Sequence, residues 1–333
     1  MVAAAEAAGS GAAMGAGRTG EWQAAGSSTA SSPMRVAILT AFTVDYEIGA
    51  ICAAVNREYA ARHGYAFVCR EYPPSTADDA RHPTWNKVEL LNEALQCLHG
   101  GATAPSIVPS DTTHLLWIDA DAVVARHDAR LEELWSRLPD SIELLIGEDV
   151  TPACLVNAGV LGVRVSAWSA ALWSDVWSAA SSDKYHQRRY HEQSALLRQL
   201  QDRGEGLQLV QAPWHSYVGG GYTPRLFPHV CVLPRRSLNT NRYDLSGARE
   251  DPHYACDYIF HAAGHPILQR RGPGGNLEIW KPPKKEAIRA VLAHAYGGGD
   301  ADLPAAAGIE RAKASACHCP PSTHARFPGR IMN

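Results

Sequence analysis

From Arg35 to Gln201 the chain alternates short apolar runs with segments whose apolar residues recur at helical spacing. That alternation is the pattern of an α/β fold: a mainly parallel sheet with helices on both faces. Arg35 to Phe42 reads as a first strand. Ile48, Ile51, Cys52, Val55 and Tyr59 then mark a helix, with Asp45 as its cap and Gly64 as its stop. Tyr65 to Arg70 is a second strand, followed by a polar, Pro-containing loop to about Arg81. Trp85, Val88, Leu91, Leu95 and Leu98 mark a second helix with Pro83 in its first turn. Leu115 to Ile118 reads as a buried strand, Leu131 to Leu138 as a short helix, and Ile142 to Ile146 and Gly159 to Val165 as strands. Ser166 caps a helix carrying Trp168, Leu172, Val176 and Trp177, and His191 to Gln201 is helical. Beyond Gly204 the pattern weakens into Pro, Gly, His and Arg, which suits substrate loops and a smaller closing element.

A chain of 333 residues holds one large α/β domain or two small ones. Residues 1–33, rich in Ala, Gly and Ser, are expected to be disordered, and 297–333 to form a poorly ordered tail. Glu6, Ser10 and several glycines break any secretory apolar core, while a transit peptide stays open. No apolar run approaches the roughly 18 residues of a membrane span. The net charge of −3 argues against nucleic acid as the main partner. Of eight cysteines, Cys52, Cys69, Cys97 and Cys154 lie in apolar segments and read as small buried hydrophobes. Cys317-His318-Cys319 lacks a second ligand pair at zinc spacing, and no Walker phosphate loop is present.

The apolar run Leu115-Leu116-Trp117-Ile118 ends in Asp119-Ala120-Asp121. In open α/β sheets, ligands bind just beyond the carboxyl ends of the strands. Two carboxylates one residue apart repel unless a cation lies between them, and a hard divalent ion would also hold a diphosphate. The plainer alternative is a loop with two solvated acids. Four other segments accompany the pair. His82-Pro83-Thr84-Trp85-Asn86-Lys87 places a Lys one turn into a helix. Asn157-Ala158-Gly159 precedes Arg164 and Trp168, and His191-Glu192-Gln193-Ser194-Ala195 opens a helix. Phe260-His261-Ala262-Ala263-Gly264-His265 comes late.

In this order and spacing, from about Arg35 to His265, these segments resemble glycosyltransferase family 34, the galactosyl-, mannosyl- and xylosyltransferases. The resemblance implies a GT-A fold over 34–296, with a nucleotide-binding half at about 34–150 and an acceptor-side half at about 151–296. It also implies a nucleotide-sugar donor held through Mn²⁺ (or Mg²⁺), and transfer with retention of configuration. Carried over residue by residue, Asp119 and Asp121 flank the metal and His261 matches the late metal-binding His, with His265 as the alternative. Lys87 matches the helix Lys that approaches the donor, and Glu192 and Gln193 match the pair beside the reacting sugar. The chain departs from the family where His191 replaces the first acid of the common Asp-Asp-Gln. It also shows no anchor for the Golgi lumen in which the family commonly works.

The chemistry agrees with that assignment. A divalent ion stabilises charge on a leaving diphosphate as a Lewis acid, a Lys ammonium adds to it, and imidazole is a suitable ligand for Mn²⁺. Glu192 and Gln193 suit a site that orients hydroxyls around an oxocarbenium-like centre. Attack by the acceptor from the leaving-group face is favoured over a covalent intermediate, because an amide is a poor nucleophile. Asn157 either forms a turn before Gly159 or hydrogen-bonds a sugar hydroxyl at the donor or acceptor. Trp85, Trp168 and Trp177 are expected in the core, Arg164 in an ion pair, and Trp214, His215 and Tyr222 in a loop where an acceptor sugar could stack. The function expected is metal-dependent glycosyl transfer to a glycan or glycoconjugate, from a UDP-sugar rather than a GDP-sugar. Two alternatives stand beside it: a non-catalytic nucleotide-sugar or glycan-binding relative, and an Asp-dependent phosphotransferase. The donor sugar, the acceptor and the oligomeric state are not legible.

Overall fold

The computed structural model describes residues 33–76, 79–99, 106–149, 156–207, 224–247 and 254–296. In chain order its elements are β1 (Val36–Thr43), α1 (Glu47–His63), β2 (Ala66–Tyr72), a 3₁₀ turn (Pro83–Trp85), α2 (Asn86–His99), β3 (His114–Ile118) and β4 (Ala122–Val124). There follow α3 (Glu132–Trp135), β5 (Leu144–Glu148), β6 (Val156–Arg164), α4 (Ala167–Ser178), α5 (Ala180–Asp183) and α6 (His191–Asp202). The last are β7 (Arg225–Leu226), β8 (Val230–Leu233), α7 (Arg235–Leu238), β9 (Arg242–Asp244), β10 (Ile259–His261), β11 (Ile267–Arg271), β12 (Leu277–Trp280) and α8 (Lys284–Tyr296). Residues 1–32 of the expected segment 1–33, the tail 297–333, the Trp214–Tyr222 loop and Cys317–Cys319 lie outside the described residues.

Seven strands form the central sheet in the order β2-β1-β3-β6-β5-β8-β7. β1, β2, β3, β5 and β8 share one direction, and β6 and β7 run against them. The sheet is therefore largely parallel with β6 reversed in its middle, a mixed α/β single domain consistent with a GT-A-like arrangement. The period-two alternation of a strand divides the core. Leu115 and Trp117 of β3 pack into a layer with α2, α4 and α6, while Leu116 and Ile118 face Tyr59 of α1 and Trp135 of α3. Every residue of β3 is buried, as a strand covered on both faces requires.

The ends of the helices show their causes. Gly64, at φ 73°, closes α1 by donating its N–H to the Ala60 and Ala61 carbonyls. Ser166 caps α4 through Ser169, the two side chains satisfying each other's backbone N–H. Asp45 does not cap α1. It is exposed in the turn closed by the Tyr46 N–H to the Thr43 carbonyl, and the helix begins after Tyr46 with no side-chain cap. Trp85 is buried, and Trp168 and Trp177 pack half-buried against the same core. Arg164 lies 4.0 Å from Asp140. No helix of the described residues is long and apolar enough to cross a membrane.

After Asp121 the chain leaves the sheet. β4 pairs antiparallel with β10, setting His261 opposite Ala122. This ribbon and α8 pack on the outer face of α1 through Val123, Phe260, Ile288, Val291 and Leu292 against Ile48, Ile51 and Val55.

Two buried histidines give the fold a pH dependence. His114 opens β3 with its ring 5.0 Å from Trp135, and burial, aided by Arg164, pushes its pKa down to about 4. Burial first, then Arg62 and His63, holds His127 down to about 3 against the opposing pull of Asp128. The folded state refuses protons that the unfolded chain binds near pH 6.5. Their contribution is complete above about pH 6.5 and is lost as pH falls towards 4. Urea denaturation is expected to show roughly 3 kcal/mol less stability at pH 4 than at pH 7 from His114 alone, with a correspondingly shallower decline in His114→Phe. Equal pH slopes in the two proteins would refute the role of His114.

Candidate metal centre

The corner after β3 is fixed by its backbone. The Asp119 N–H donates to the Gly159 carbonyl at 2.7 Å, the Ala122 N–H to the Asp119 carbonyl at 3.0 Å, and the Ala262 N–H to the Asp121 carbonyl at 2.9 Å. Sheet, corner and ribbon thus bring Asp119, Asp121 and His261 together although His261 lies far along the chain. One ligand atom from each falls within 4.8 Å of the others. His261 Nε2 is 3.2 Å from Asp121 Oδ1 and 3.9 Å from Asp119 Oδ2. His265, the alternative, is exposed on the turn beyond and belongs to no such cluster among the described residues.

The surrounding hydrogen bonds assign the imidazole. Asn239 Nδ2 donates to the Asn157 carbonyl, so Asn239 Oδ1 is the atom 3.1 Å from His261 Nδ1, and Nδ1 must carry the proton. Nε2 then faces two carboxylates. A bare lone pair there would be repelled, so a proton or a cation belongs between them. Two carboxylate oxygens and one oriented imidazole nitrogen form a donor set that suits a divalent ion such as Mn²⁺ or Mg²⁺.

Two glycines leave room for this arrangement. A Cβ on Gly159 would stand 2.1 Å from His261 Cε1, and one on Gly147 would stand 2.4 Å from Asn239 Nδ2. Neither neighbour is the free end of a flexible side chain. Gly159→Ala is expected to displace the imidazole and weaken Mn²⁺ binding by about 10- to 100-fold, at a stability loss of about 1–3 kcal/mol. Calorimetric titration of the folded variant checks this, and wild-type affinity would rule out the packing argument.

Lysines flank both carboxylates. Lys87, 3% exposed in the first turn of α2, places its ammonium 3.1 Å from Asp119 Oδ1 and 2.9 Å from Glu192 Oε1. Burial alone would lower its pKa, but the two carboxylates outweigh burial and raise it. Trp117 Nε1 donates to Asp119 Oδ1 at 2.6 Å. Burial pushes the Asp119 carboxyl up, although Lys87 and His261 oppose that shift. On the other side, Lys284 Nζ lies 2.5 Å from Asp121 Oδ2. Burial would raise the Asp121 carboxyl, yet His261 and Lys284 hold it far below the usual carboxylate range. The Tyr46 phenol is raised by burial and by the Asp121 carboxylate beside it.

The remaining expected residues join the same region. Gln193 Oε1 accepts the Ala158 N–H at 2.8 Å, and its Nε2 donates to Asp149 Oδ2 at 3.3 Å. Asn157 lies within β6. Its Oδ1 accepts the Gly159 N–H and its Nδ2 donates to the same Asp149 oxygen, at 2.8 and 3.3 Å. His191 opens α6 at φ 31° after Tyr190 at φ 65°, and its ring stacks on His82 at 3.8 Å. Left-handed backbone in two consecutive non-glycine residues is strained, and such strain gathers at functional sites.

Sequence reasoning missed Lys284, Asn239, Tyr46 and Asp149. Asn239 and Asp149 carry no local signal. Lys284 follows Pro282-Pro283 at the start of a segment whose Ala287, Ile288, Val291 and Leu292 have helical spacing, so the helix was legible but its contact with Asp121 was not.

No family model matches the chain, and no curated protein does. Solved structures similar to it include a glycosyltransferase involved in glycosylation of the major capsid of PBCV-1, with 15% identity over 77% of this chain and 98% of that one, at a TM-score of 0.45. Another is the apo-form glycosyltransferase GlyE of Streptococcus pneumoniae TIGR4, with 12% identity over 84% and 64% of the two chains, at 0.41. A third is the galactosyltransferase LgtC in complex with donor and acceptor sugar analogs, with 15% identity over 77% and 95%, at 0.36. At these identities and scores none of them assigns a site or an activity to this chain.

Proposed function

We propose that this chain is a metal-dependent, retaining glycosyltransferase of the family 34 kind, transferring a sugar from a nucleotide-sugar, UDP favoured over GDP, to a glycan or glycoconjugate. The observation that supports this most is the Asp119–Asp121–His261 cluster at the carboxyl end of β3, with Asn239 fixing His261 so that Nε2 faces both acids. Asp119, Asp121 and His261 would hold the ion, Mn²⁺ before Mg²⁺ because of the imidazole. When bound, the ion supplies Lewis-acid charge to the leaving diphosphate.

The chain's own groups have separable tasks. Lys87, almost fully buried, holds Asp119 and Glu192 in place and keeps these two acids from repelling each other. Lys284, 37% exposed, balances Asp121; with a divalent ion held by Asp121, its ammonium would be free to meet donor phosphate. Glu192 and Gln193 face the reacting sugar. Gln193, tied to Ala158 and Asp149, is a rigid amide suited to orienting hydroxyls, so attack by the acceptor from the leaving-group face remains the favoured course. Asn157, locked to Gly159 and Asp149, shapes the same wall. A Golgi-lumen setting follows from the family resemblance alone.

One observation favours a second reading, that of a nucleotide-sugar-binding relative without turnover. Where the family commonly has an acid, His191 stands stacked on His82. A panel of UDP- and GDP-sugars, incubated with and without Mn²⁺ and followed by nucleotide release, separates the two. Metal-dependent release from one donor supports the transferase. Tight donor binding with neither hydrolysis nor transfer to any acceptor supports the second reading. Neither binding nor release defeats both.

A further inference from the structure

A cavity of about 510 Å³ opens at the far end of the β4–β10 ribbon from the metal cluster, among Arg62 of α1, Arg126 and His127 after β4, Tyr243 of β9, Tyr254, and Tyr296 at the end of α8. At about 3.3 Å per strand residue, it begins on the order of 15 Å from Asp121. Its volume is that of a small-molecule site. Residues of the proposed metal site do not line it.

His127 points to a ligand. It is 5% exposed, yet neither ring nitrogen has a hydrogen-bond partner among the described residues. Tyr59 and Tyr296 hold the ring in place, at centroid distances of 5.3 and 4.4 Å. His127 lines the cavity, and a half-turn about Cβ–Cγ, the ordinary two-fold freedom of an imidazole, would exchange the positions of its ring carbons and nitrogens. The ring stays neutral and so offers one donor and one acceptor. A sugar hydroxyl, which both donates and accepts, matches that pair.

The rest of the lining selects among ligands. Its guanidinium groups are already balanced locally, Arg62 by Glu58 at 3.3 Å and Arg126 by Asp128 at 2.9 Å. Asp128 and Asp244 also line the cavity. A phosphate or a nucleotide would meet carboxylates as well as cations, whereas a neutral, hydroxyl-rich ligand meets planar polar groups beside three tyrosines. Aromatic faces with adjoining polar tips suit the apolar face and hydroxyl edge of a sugar ring.

We propose that this cavity is a second saccharide-binding site, separate from the metal centre, which holds a distal unit of the glycan whose end is modified there. The site rests on the glycosyltransferase reading for its biological sense, although its binding does not depend on turnover. Holding one acceptor at two points raises the effective concentration of its reacting end, so acceptors long enough to span both sites gain most.

The test uses the full chain and oligosaccharide series of increasing length (xylo-, manno-, cello- and galacto-oligosaccharides), with binding followed by calorimetry and saturation-transfer NMR in the presence of EDTA. One series is expected to bind without metal or nucleotide. Binding should survive Asp121→Asn and fall at least tenfold in Tyr254→Ala and in His294→Ala, a residue exposed at the cavity rim. Metal-dependent donor hydrolysis should be unchanged in both cavity variants. Circular dichroism shows whether each variant is folded, and the two substitutions are independent of each other. The proposal is overturned if no series binds under EDTA, if binding is the same in both folded variants, or if UDP or inorganic phosphate occupies the cavity in preference to sugar. Oligosaccharide binding with these sensitivities, but without hydrolysis of any donor, would uphold the cavity site and remove the transferase reading.

Discussion

Asp121→Asn is expected to lose nucleotide-sugar turnover by about 10³-fold or more, the scale of removing a principal charge-stabilising group, while the protein stays folded. The carboxylate sits between His261 Nε2 at 3.2 Å and Lys284 Nζ at 2.5 Å, and among the described residues no acid besides Asp119 belongs to the cluster. An amide keeps the shape and removes the charge that a divalent ion needs. The variant should also be less stable at neutral pH, by about 1–3 kcal/mol for the partners left uncompensated. The pH dependence has a definite sign. The folded carboxyl lies below its unfolded value despite burial, because His261 and Lys284 favour the charged form. Its contribution is therefore complete above the unfolded value near pH 4 and is lost only as pH falls through the lower folded value. The stability difference between wild type and Asp121→Asn should be constant from pH 5 to pH 7 and shrink in stronger acid. Undiminished metal-dependent turnover in the variant would remove Asp121 from the site.

Lys87→Met is expected to destabilise the fold more than any exposed charge substitution, by about 3–5 kcal/mol, because it strands two largely buried carboxylates. The ammonium is the shared partner of Asp119 and Glu192, and Met fills a similar volume without the charge. The double variant Lys87→Met with Glu192→Gln should recover part of the loss, since the second change removes one of the stranded charges. A coupling of at least about 1 kcal/mol in the double-mutant cycle is the expected result. Mn²⁺ should stabilise Lys87→Met more than wild type, because a cation on Asp119 compensates the missing ammonium. Urea denaturation with and without Mn²⁺ measures all of these quantities. A Lys87→Met stability within about 0.5 kcal/mol of wild type would show that Lys87 is a solvated helix charge after all.

The parts of this architecture that were legible in sequence are those governed by local rules. Strand β3 announced itself because a strand buried on both faces must be continuously apolar, and the acids after Ile118 marked its carboxyl end. Ser166 and Gly64 marked helix ends because capping and left-handed closure need those residues within a few positions. Asp45 misled because the chain takes one more turn before α1 begins, and a good capping residue in a turn looks the same in sequence. β4 escaped because three apolar residues after the acids do not reveal that they leave the sheet. Its partner β10 lies more than a hundred residues on. The placing of Asn239 and Lys284 against His261 and Asp121 depends on that long-range ribbon and on α8 folding back over α1. Residue types could name Asp119, Asp121 and His261 as ligand candidates. Only tertiary structure could supply the amide that fixes the tautomer of His261 and the lysine that balances Asp121.

The most direct test of the proposed metal centre is a titration with Mn²⁺, followed by electron paramagnetic resonance of the free ion, with and without UDP. One Mn²⁺ per chain is the predicted result, bound more tightly when UDP is present and lost in Asp121→Asn and His261→Ala. No stoichiometric binding to the folded wild-type protein, with or without the nucleotide, would contradict the account at its centre.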